Sequence, residues 1–361
     1  MRTCVVMSIA LFAACGGKKA DETAGGGSTT GSSAGPGSGA VTGSGAAAAG
    51  SGSAAGSGSA AAPKAGYCVP SESDNTLVAF VADDKTATFC LRKEDDEKAA
   101  PKCTAVDLAT GAYRAAASAP APATATATAP AGGVFTVKQG AKGVEVCQGN
   151  ACKKLDLPKP KVSDGEVQAY QVEVSDDRKR VVATGGGLDG VVFLDGGTGK
   201  KLKSVKLGDD STCLESARFV GESVYVATSN CAGPGGGALL YTSAGKKIGE
   251  VSTEEKINVY GAEPMHVGGD NWAVVGYGGG DVLVFSAKTA KQVHLIEVTR
   301  PEDCEQCGMV LGTAAHWRAT PIAKLPSGKL LTLDGSGVSL LDPATGKLEK
   351  THRMPICPEK P

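Results

Sequence analysis

Cysteine offers the most chemistry in this sequence, because its 361 residues include 12 cysteines and only 4 histidines. Cys4 and Cys15 lie in an apolar N-terminal segment, and the others lie from Cys68 to Cys357. An even number of cysteines in a globular region is typical of disulfide bonding outside the cytoplasm. We therefore expect a disulfide-bonded domain in an oxidising compartment.

Spacing favours particular pairs, because neighbouring antiparallel strands hold Cα atoms within disulfide reach. The short intervals favour Cys90 with Cys103, Cys147 with Cys152, Cys213 with Cys231, and Cys304 with Cys307. Cys68 and Cys357 remain, and a bond between them would join the beginning of the domain to its end. Ten cysteines allow about 945 pairings, so these assignments depend on spacing alone.

Cys304 and Cys307 also have the spacing of a redox pair or of half a zinc site. No histidine follows Cys307, as it would in a c-type haem site, and no second Cys-x-x-Cys completes a four-cysteine site. A local disulfide is favoured, and we expect no metal.

Other motifs also favour structural roles. Gly185–Gly190 matches G-x-G-x-x-G, but a strand-like run follows where a dinucleotide site needs a helix N-terminus. The acidic run Glu94–Glu97 lacks the spacing of a calcium loop, and the histidines lack ligand spacing. We expect no cofactor and assign no catalytic residue. Paired carboxylates contributed by different repeats would show no fixed spacing, so a glycosidase-like pair stays open.

A repeat supplies the elements that position these residues. Four clear copies begin at Arg180, Ser223, Asn271 and Lys329, and two weaker copies begin at Cys103 and Phe135. Each clear copy has an apolar strand, a Gly-rich turn, a second apolar strand, a turn such as Thr-Gly-Lys, and a third strand. The turns recur about every 40 to 56 residues, a period typical of β-propellers with one four-stranded blade per repeat.

The repeat residues resemble known propellers. Ser175–Thr184 is similar to the turn and strand of YVTN and WD-type repeats. Val106–Gly111, Leu194–Lys200 and Leu341–Lys347 resemble the Asp-x-x-Thr-Gly element of quinoprotein-type repeats. This resemblance implies an all-β propeller of six four-stranded blades, with seven as the alternative. No Trp follows these turns, so the Trp residues that lock quinoprotein blades are missing, and disulfides could replace that packing.

The N-terminus reads as an export signal. Arg2 precedes the apolar run Cys4–Ala14, and Phe12-Ala13-Ala14-Cys15 resembles a bacterial lipobox, although Phe12 stands where Leu, Val or Ile is usual. The resemblance implies removal of residues 1–14 and a diacylglycerol on Cys15. Gly16, rather than Asp, implies transfer to the outer membrane. An uncleaved anchor or an ordinary secretory peptide is the alternative.

Composition divides the remaining chain. Residues 15–65 are mostly Gly, Ser, Ala and Thr, so they cannot bury enough surface to fold and should form a disordered tether. Residues 66–361 should form the propeller. The Ala/Thr/Pro-rich stretch 115–133 is either a low-complexity insertion, which we favour, or a weak edge strand.

Charge and motifs bound the function. The chain has 37 Lys plus Arg and 38 Asp plus Glu, which argues against nucleic acid and against electrostatic binding to anionic lipid. We expect a lipid-anchored, non-catalytic envelope protein that binds other envelope proteins through propeller loops, facing the periplasm or the cell surface. The alternative is a propeller hydrolase or quinone-dependent dehydrogenase with its site in the central channel.

Overall fold

The computed structural model describes residues 67–69, 75–93, 96, 98–117, 135–140, 143–163, 166–207, 212–231, 235–252, 257–259, 262–276, 280–298, 322–334 and 337–357. Several predictions from the sequence lie outside these residues. They are the signal peptide and tether (1–65), Cys15, most of the stretch 115–133, and the pair Cys304 and Cys307.

The described residues form strands and no helix. The first blade contains β1 (Asn75–Ala82), β2 (Thr86–Lys93), β3 (Lys102–Asp107) and β4 (Tyr113–Ala116). The second contains β5 (Phe135–Gly140), β6 (Gly143–Gln148) and β7 (Ala151–Lys154). The hairpin of β8 (Val162–Ser163) and β9 (Glu166–Val167) follows. The third contains β10 (Tyr170–Val174), β11 (Arg180–Gly185), β12 (Gly190–Asp195) and β13 (Lys201–Lys206).

The other three blades each contain four strands. The fourth contains β14 (Thr212–Val220), β15 (Ser223–Asn230), β16 (Gly236–Thr242) and β17 (Lys247–Ser252). The fifth contains β18 (Met265–Gly268), β19 (Asn271–Val275), β20 (Val282–Ser286) and β21 (Gln292–Ile296). The sixth contains β22 (Ile322–Lys324), β23 (Leu330–Asp334), β24 (Gly337–Asp342) and β25 (Lys347–Arg353). Strands in each blade pair antiparallel in chain order.

Both faces of the middle strands are buried, which explains their continuous apolar runs. In β11, Val181 and Ala183 pack with the second blade, whereas Val182 packs with the fourth. Alternate side chains of a strand point to opposite faces, so one run supplies two interfaces. The repeats beginning at Arg180, Ser223, Asn271 and Lys329 correspond to the second, third and fourth strands of four blades, as predicted.

Apolar clusters arrange the blades in a ring. Successive clusters join the second blade to the third, the third to the fourth, the fourth to the fifth, and the fifth to the sixth. Another places Phe89 and Leu91 of the first blade against Leu331 and Leu333 of the sixth. The fold is therefore a β-propeller. Since the fifth and sixth blades pack directly together, no seventh blade lies between them.

One blade differs from the predicted architecture. Within the described residues the second blade has three strands, β5 to β7. The turn between β6 and β7, at Gly149, corresponds to the turns between third and fourth strands elsewhere. The six repeats therefore give six blades, but four strands are described in only five of them.

The turn glycines pack on the preceding blade. Gly111 of the first blade lies against His352 of the sixth, and Gly346 of the sixth lies against His294 of the fifth. Both glycines have positive φ, 75° and 71°, which a side chain would resist. At the matching position in the fifth blade stands Ala290, with φ 59°, and there the preceding blade supplies Gly249.

Four disulfides are formed by the described cysteines. Cys90 bonds to Cys103, Cys147 to Cys152, and Cys213 to Cys231, with Cα separations of 4.0, 3.9 and 5.0 Å. These bonds lie within single blades, so the idea that disulfides lock neighbouring blades is wrong for them. Cys68 bonds to Cys357 across 289 residues of sequence, beside a parallel bridge between Val69 and Ile356. That bond joins the two ends of the ring.

No helix among the described residues is long and apolar enough to cross a membrane.

Candidate functional site

The innermost strands bring three charged side chains together near the propeller axis. The first strands of neighbouring blades contact each other, as β10 contacts β14. Glu173 lies on β10, Arg218 on β14, and Glu263 just before β18. The three residues come from three successive blades and are separated by about 45 positions in the sequence, so no local motif could reveal them.

Arg218 lies between the two carboxylates. Its Nη2 donates a hydrogen bond to Glu263 Oε1 at 2.9 Å, and its Nη1 is 3.5 Å from Glu173 Oε2. Glu173 Oε1 accepts a hydrogen bond from the backbone amide of Phe219 at 3.1 Å. Arg218 and Glu173 are partly buried, whereas the side chain of Glu263 is 68% exposed.

Burial raises the pKa of Glu173 above its ordinary value, although the Phe219 amide and Arg218 oppose this shift. The pKa of Arg218 is raised by its two carboxylate partners, which outweigh its desolvation. The fold therefore favours the charged form of Arg218 but disfavours the charged form of Glu173. For Glu173, the hydration lost on burial outweighs the attraction to Arg218.

The charged groups of this arrangement contact one another. The guanidinium group contacts two carboxylates, and Glu173 accepts a backbone hydrogen bond. The cluster therefore ties three blades together at the axis.

Two further contacts line the same region. Lys324 on β22 donates a hydrogen bond from Nζ to the carbonyl oxygen of His266 on β18 at 3.0 Å. The His266 ring lies 5.2 Å from the Trp272 ring, centroid to centroid. His266 is exposed, so its role is that of a surface residue, as expected from the sequence.

A cavity of about 330 Å³ lies at the rim of the first blade, beside the ring closure. Tyr67, Leu91 and Ala116 contribute apolar walls, and Lys102 is the charged residue of the lining. The hydroxyl groups of Tyr67 and Thr104 share a hydrogen bond of 2.8 Å. Because ligand pockets usually combine apolar walls with several converging polar groups, this cavity has the volume but few groups to orient a ligand.

The two ends of the blades differ in their connections. Because paired strands are antiparallel, the turns after the first and third strands lie at one end, which we call the short-turn face. The connections after the second strand and between blades lie at the other end, which we call the loop face. Turns on the short-turn face are tight, as from Val220 to Ser223, whereas the loop face includes the longer connection from Lys154 to Tyr170.

The β8–β9 hairpin belongs to the loop face. It connects the second blade to the third, and the backbone amide of Lys161 donates to the carbonyl oxygen of Gly186 in the β11–β12 connection. Val162 and Val167 pair with each other and are 65% and 55% exposed. Two large apolar side chains exposed on one hairpin form a contact surface rather than part of the core.

The other motifs singled out in the sequence have structural positions. Gly185–Gly190 forms the end of β11, the connection and the start of β12, with no helix after it. Glu145, Cys147 and Cys152 bring possible ligand atoms within 4.8 Å of one another, but both sulfur atoms belong to a disulfide. His352 is buried and its Nε2 lies 2.9 Å from the carbonyl oxygen of Leu108, so it belongs to the seam between the sixth and first blades.

No family model and no curated protein matches this sequence. Among solved structures, the Dos1 propeller is similar at 10% identity and a TM-score of 0.38, over 78% of this chain and 71% of that chain. Hsv2 of Kluyveromyces lactis is similar at 14% identity and 0.37, over 74% and 75%. A prolyl endopeptidase is similar at 14% identity and 0.36, but this chain spans only 41% of its length. Likeness at this level adds no argument, and the fold rests on strand order and blade packing.

Proposed function

We propose that this protein is a lipid-anchored cell-envelope protein that binds a macromolecular partner on the loop face of its propeller and catalyses no reaction. The observation that carries the proposal is the exposed pair Val162 and Val167 on the β8–β9 hairpin, beside the longer connections of that face. Loops held on a rigid scaffold are where such domains bind partners.

The membrane anchor is part of the same proposal. Its support is the lipobox-like Phe12–Cys15 and the Gly16 that follows. A tether of roughly 50 Gly/Ser-rich residues has a root-mean-square span near 40 Å, so it keeps the loop face close to other envelope components without setting its orientation. Mass spectrometry of the mature N-terminus should find diacylated Cys15. An unmodified terminus downstream of Cys15 contradicts the anchor.

Site-specific photo-crosslinking in intact cells tests the binding surface. A photoreactive residue replaces Val162 on the loop face, and the matched control replaces Ala344, which is exposed on the short-turn face. We expect a discrete adduct from position 162 and none from position 344. Equal adducts at both positions, or none at position 162, contradict binding through the loop face.

A second function is favoured by one observation. Glu173 is a partly buried carboxyl group with a raised pKa beside an arginine near the axis, an arrangement that can serve general acid catalysis. A propeller hydrolase with its site there should hydrolyse model glycosides or esters. Glu173→Gln and Arg218→Met should then abolish turnover while the thermal unfolding midpoint stays within a few degrees of the parent. Absence of turnover in the parent protein removes this alternative.

A further inference from the structure

The outer strand of the third blade carries an unusual concentration of lysine. Between Gly199 and Leu207 the sequence reads Lys-Lys-Leu-Lys-Ser-Val-Lys, with no acidic residue. Lys200, Lys201, Lys203 and Lys206 are all exposed, as expected for the fourth strand of a blade, which pairs with only one neighbour. None of these four ammonium groups forms an ion pair with a carboxylate that the structure describes.

The second blade extends this charge. Lys153 and Lys154 are exposed on β7. The ammonium group of Lys153 donates to the carbonyl oxygen of Gly197, and the amide of Asp156 donates to the carbonyl oxygen of Gly199 at 2.8 Å. These bonds place the end of β7 beside the turn that leads into β13. We call Lys153, Lys154, Lys200, Lys201, Lys203 and Lys206 together the basic wall.

One carboxylate faces the basic wall directly, since Glu145 on β6 lies opposite Lys154, but the other nearby carboxylates bind elsewhere. Asp195 binds within its own turn and to Arg180, and Asp156 accepts the amide of Lys201 at 3.4 Å. Asp189 pairs with Lys161, which adds a further lysine at the loop-face end. Other outer strands differ, since Lys247 pairs with Glu250 and Lys329 pairs with Glu349. The near-zero net charge of the chain therefore conceals a local cationic surface.

An apolar side chain lies among the lysines. Leu202 on β13, between Lys201 and Lys203, is 46% exposed. Lysines interleaved with exposed aliphatic groups suit a membrane interface, where ammonium groups meet lipid phosphates and the aliphatic groups enter the headgroup boundary. A nucleic acid would use the charge but not the exposed Leu202.

We propose that the basic wall docks the propeller side-on onto a membrane surface of anionic phospholipid. The wall follows β13, whose six residues extend over about 20 Å, so it is longer than one headgroup and fits a surface of many phosphates. The attraction of lysines to such a surface is screened at high salt. Overall charge predicted no binding to anionic lipid, and the basic wall is a local exception on the outer strands of the second and third blades.

Lysine acetylation footprinting on the full-length chain tests the docking. The protein is mixed with vesicles of phosphatidylglycerol and phosphatidylethanolamine, or with vesicles of phosphatidylcholine, and acetylation is read by mass spectrometry. On the anionic vesicles Lys200 and Lys206 should react about threefold or more slowly, and high salt should restore their rates. Lys347, at the start of the outer strand of the sixth blade, should react equally on both.

Two matched variants distinguish the effect of the basic wall on lipid docking from the effect of net charge. Lys201→Glu with Lys203→Glu should remove the protection of Lys200 and Lys206, whereas Lys291→Glu with Lys347→Glu makes the same charge change on other blades and should leave it. Equal rates on both vesicle types, or equal effects of the two variants, overturn the proposal. Protection that requires an added acidic protein rather than anionic vesicles also overturns it, in favour of a protein partner. None of these results depends on crosslinking at the loop face.

Discussion

At the residue scale, two tyrosine side chains of the propeller differ in whether their hydroxyl group has a hydrogen-bond partner. Tyr225 is fully buried, stacks on Phe285 at 5.7 Å between centroids, and its hydroxyl has no hydrogen-bond partner among the described residues. Burial raises the pKa of Tyr225, so the group is neutral at physiological pH. The Tyr113 hydroxyl instead donates to the carbonyl oxygen of His352 at 2.5 Å across the seam between the sixth and first blades.

Tyrosine-to-phenylalanine substitutions should therefore change stability in opposite directions. Tyr225→Phe removes an unsatisfied buried hydroxyl group and should raise the free energy of unfolding by about 1 kcal/mol. Tyr113→Phe leaves a carbonyl oxygen without its donor and should lower it by about 1 kcal/mol. Urea denaturation of both variants measures the two changes, and a destabilising Tyr225→Phe would show that the hydroxyl has a partner.

His352 makes the same seam sensitive to acid. Burial, with Lys350 nearby, lowers its pKa below the ordinary value, while the Leu108 carbonyl and Asp107 oppose the shift. The unfolded chain thus binds the proton more readily than the folded chain. The contribution to stability is complete above the unfolded pKa, about 6.5, and is lost as the pH falls through the lower folded pKa.

We expect the free energy of unfolding to fall between about pH 7 and pH 5, and His352→Gln to flatten this slope. Glutamine can still donate a hydrogen bond to the Leu108 carbonyl but does not titrate. The matched control is His266→Gln, at an exposed position, which should keep the slope of the parent. Equal slopes for the parent and His352→Gln would place the acid sensitivity elsewhere.

At the element scale, the turn between the third and fourth strands of a blade packs against the preceding blade. In the third blade this turn is held by Asp195, whose Oδ1 accepts hydrogen bonds from the Thr198 amide and hydroxyl at 2.8 and 2.9 Å. These bonds lower the pKa of Asp195. The Asp and Thr-Gly residues are thus turn chemistry, as predicted, and Gly199 then lies against the backbone of the second blade.

Alanine substitutions at two glycines should distinguish the energetic cost of a side chain at positive φ from the cost of a steric clash with the neighbouring blade. Gly199, with φ 72°, would place a Cβ against the carbonyl oxygen of Lys154, whereas Gly221, with φ 65°, has nothing within 4 Å. Gly221→Ala should destabilise by about 1 kcal/mol, for backbone conformation alone. Gly199→Ala should cost about 2 to 4 kcal/mol, because the neighbouring backbone must move. Thermal unfolding measures the stability of both variants. Equal losses of stability would contradict close packing of the Gly199 turn against the second blade.

At the scale of the whole molecule, the ring has one covalent closure. The bond between Cys68 and Cys357 spans 289 residues, whereas that between Cys147 and Cys152 spans 5. Five seams of the propeller have apolar clusters among the described residues, including the seam between the sixth and first blades next to the closure. Covalent and apolar contacts thus coincide at that seam.

Removing the ring closure should destabilise the propeller more than removing a hairpin disulfide. In the chain-entropy account, the Cys68→Ala and Cys357→Ala variant loses about 6 kcal/mol, and the Cys147→Ala and Cys152→Ala variant loses about 2 kcal/mol. Denaturant unfolding under non-reducing conditions measures both. If the hairpin variant loses as much stability as the closure variant, the closure is not the dominant covalent constraint on the unfolded chain.

The sequence by itself predicted the β-propeller class, the repeats and three short-range cysteine pairs, because strand alternation, turn residues and short cysteine intervals are local signals. The pairing of Cys68 with Cys357 was predicted only because those two cysteines remained. The positions of Thr-Gly turns, as at Gly199 and Gly346, also followed from the sequence, since positive φ favours glycine.

Only the tertiary structure decided which distant residues meet. Arg218 joins Glu173 and Glu263, and Lys153 on β7 reaches the turn before β13, through contacts between blades. It also showed direct packing of the fifth blade on the sixth, and turn glycines that contact the preceding blade. These contacts depend on how successive sheets pack around an axis, and no interval in the chain encodes that packing.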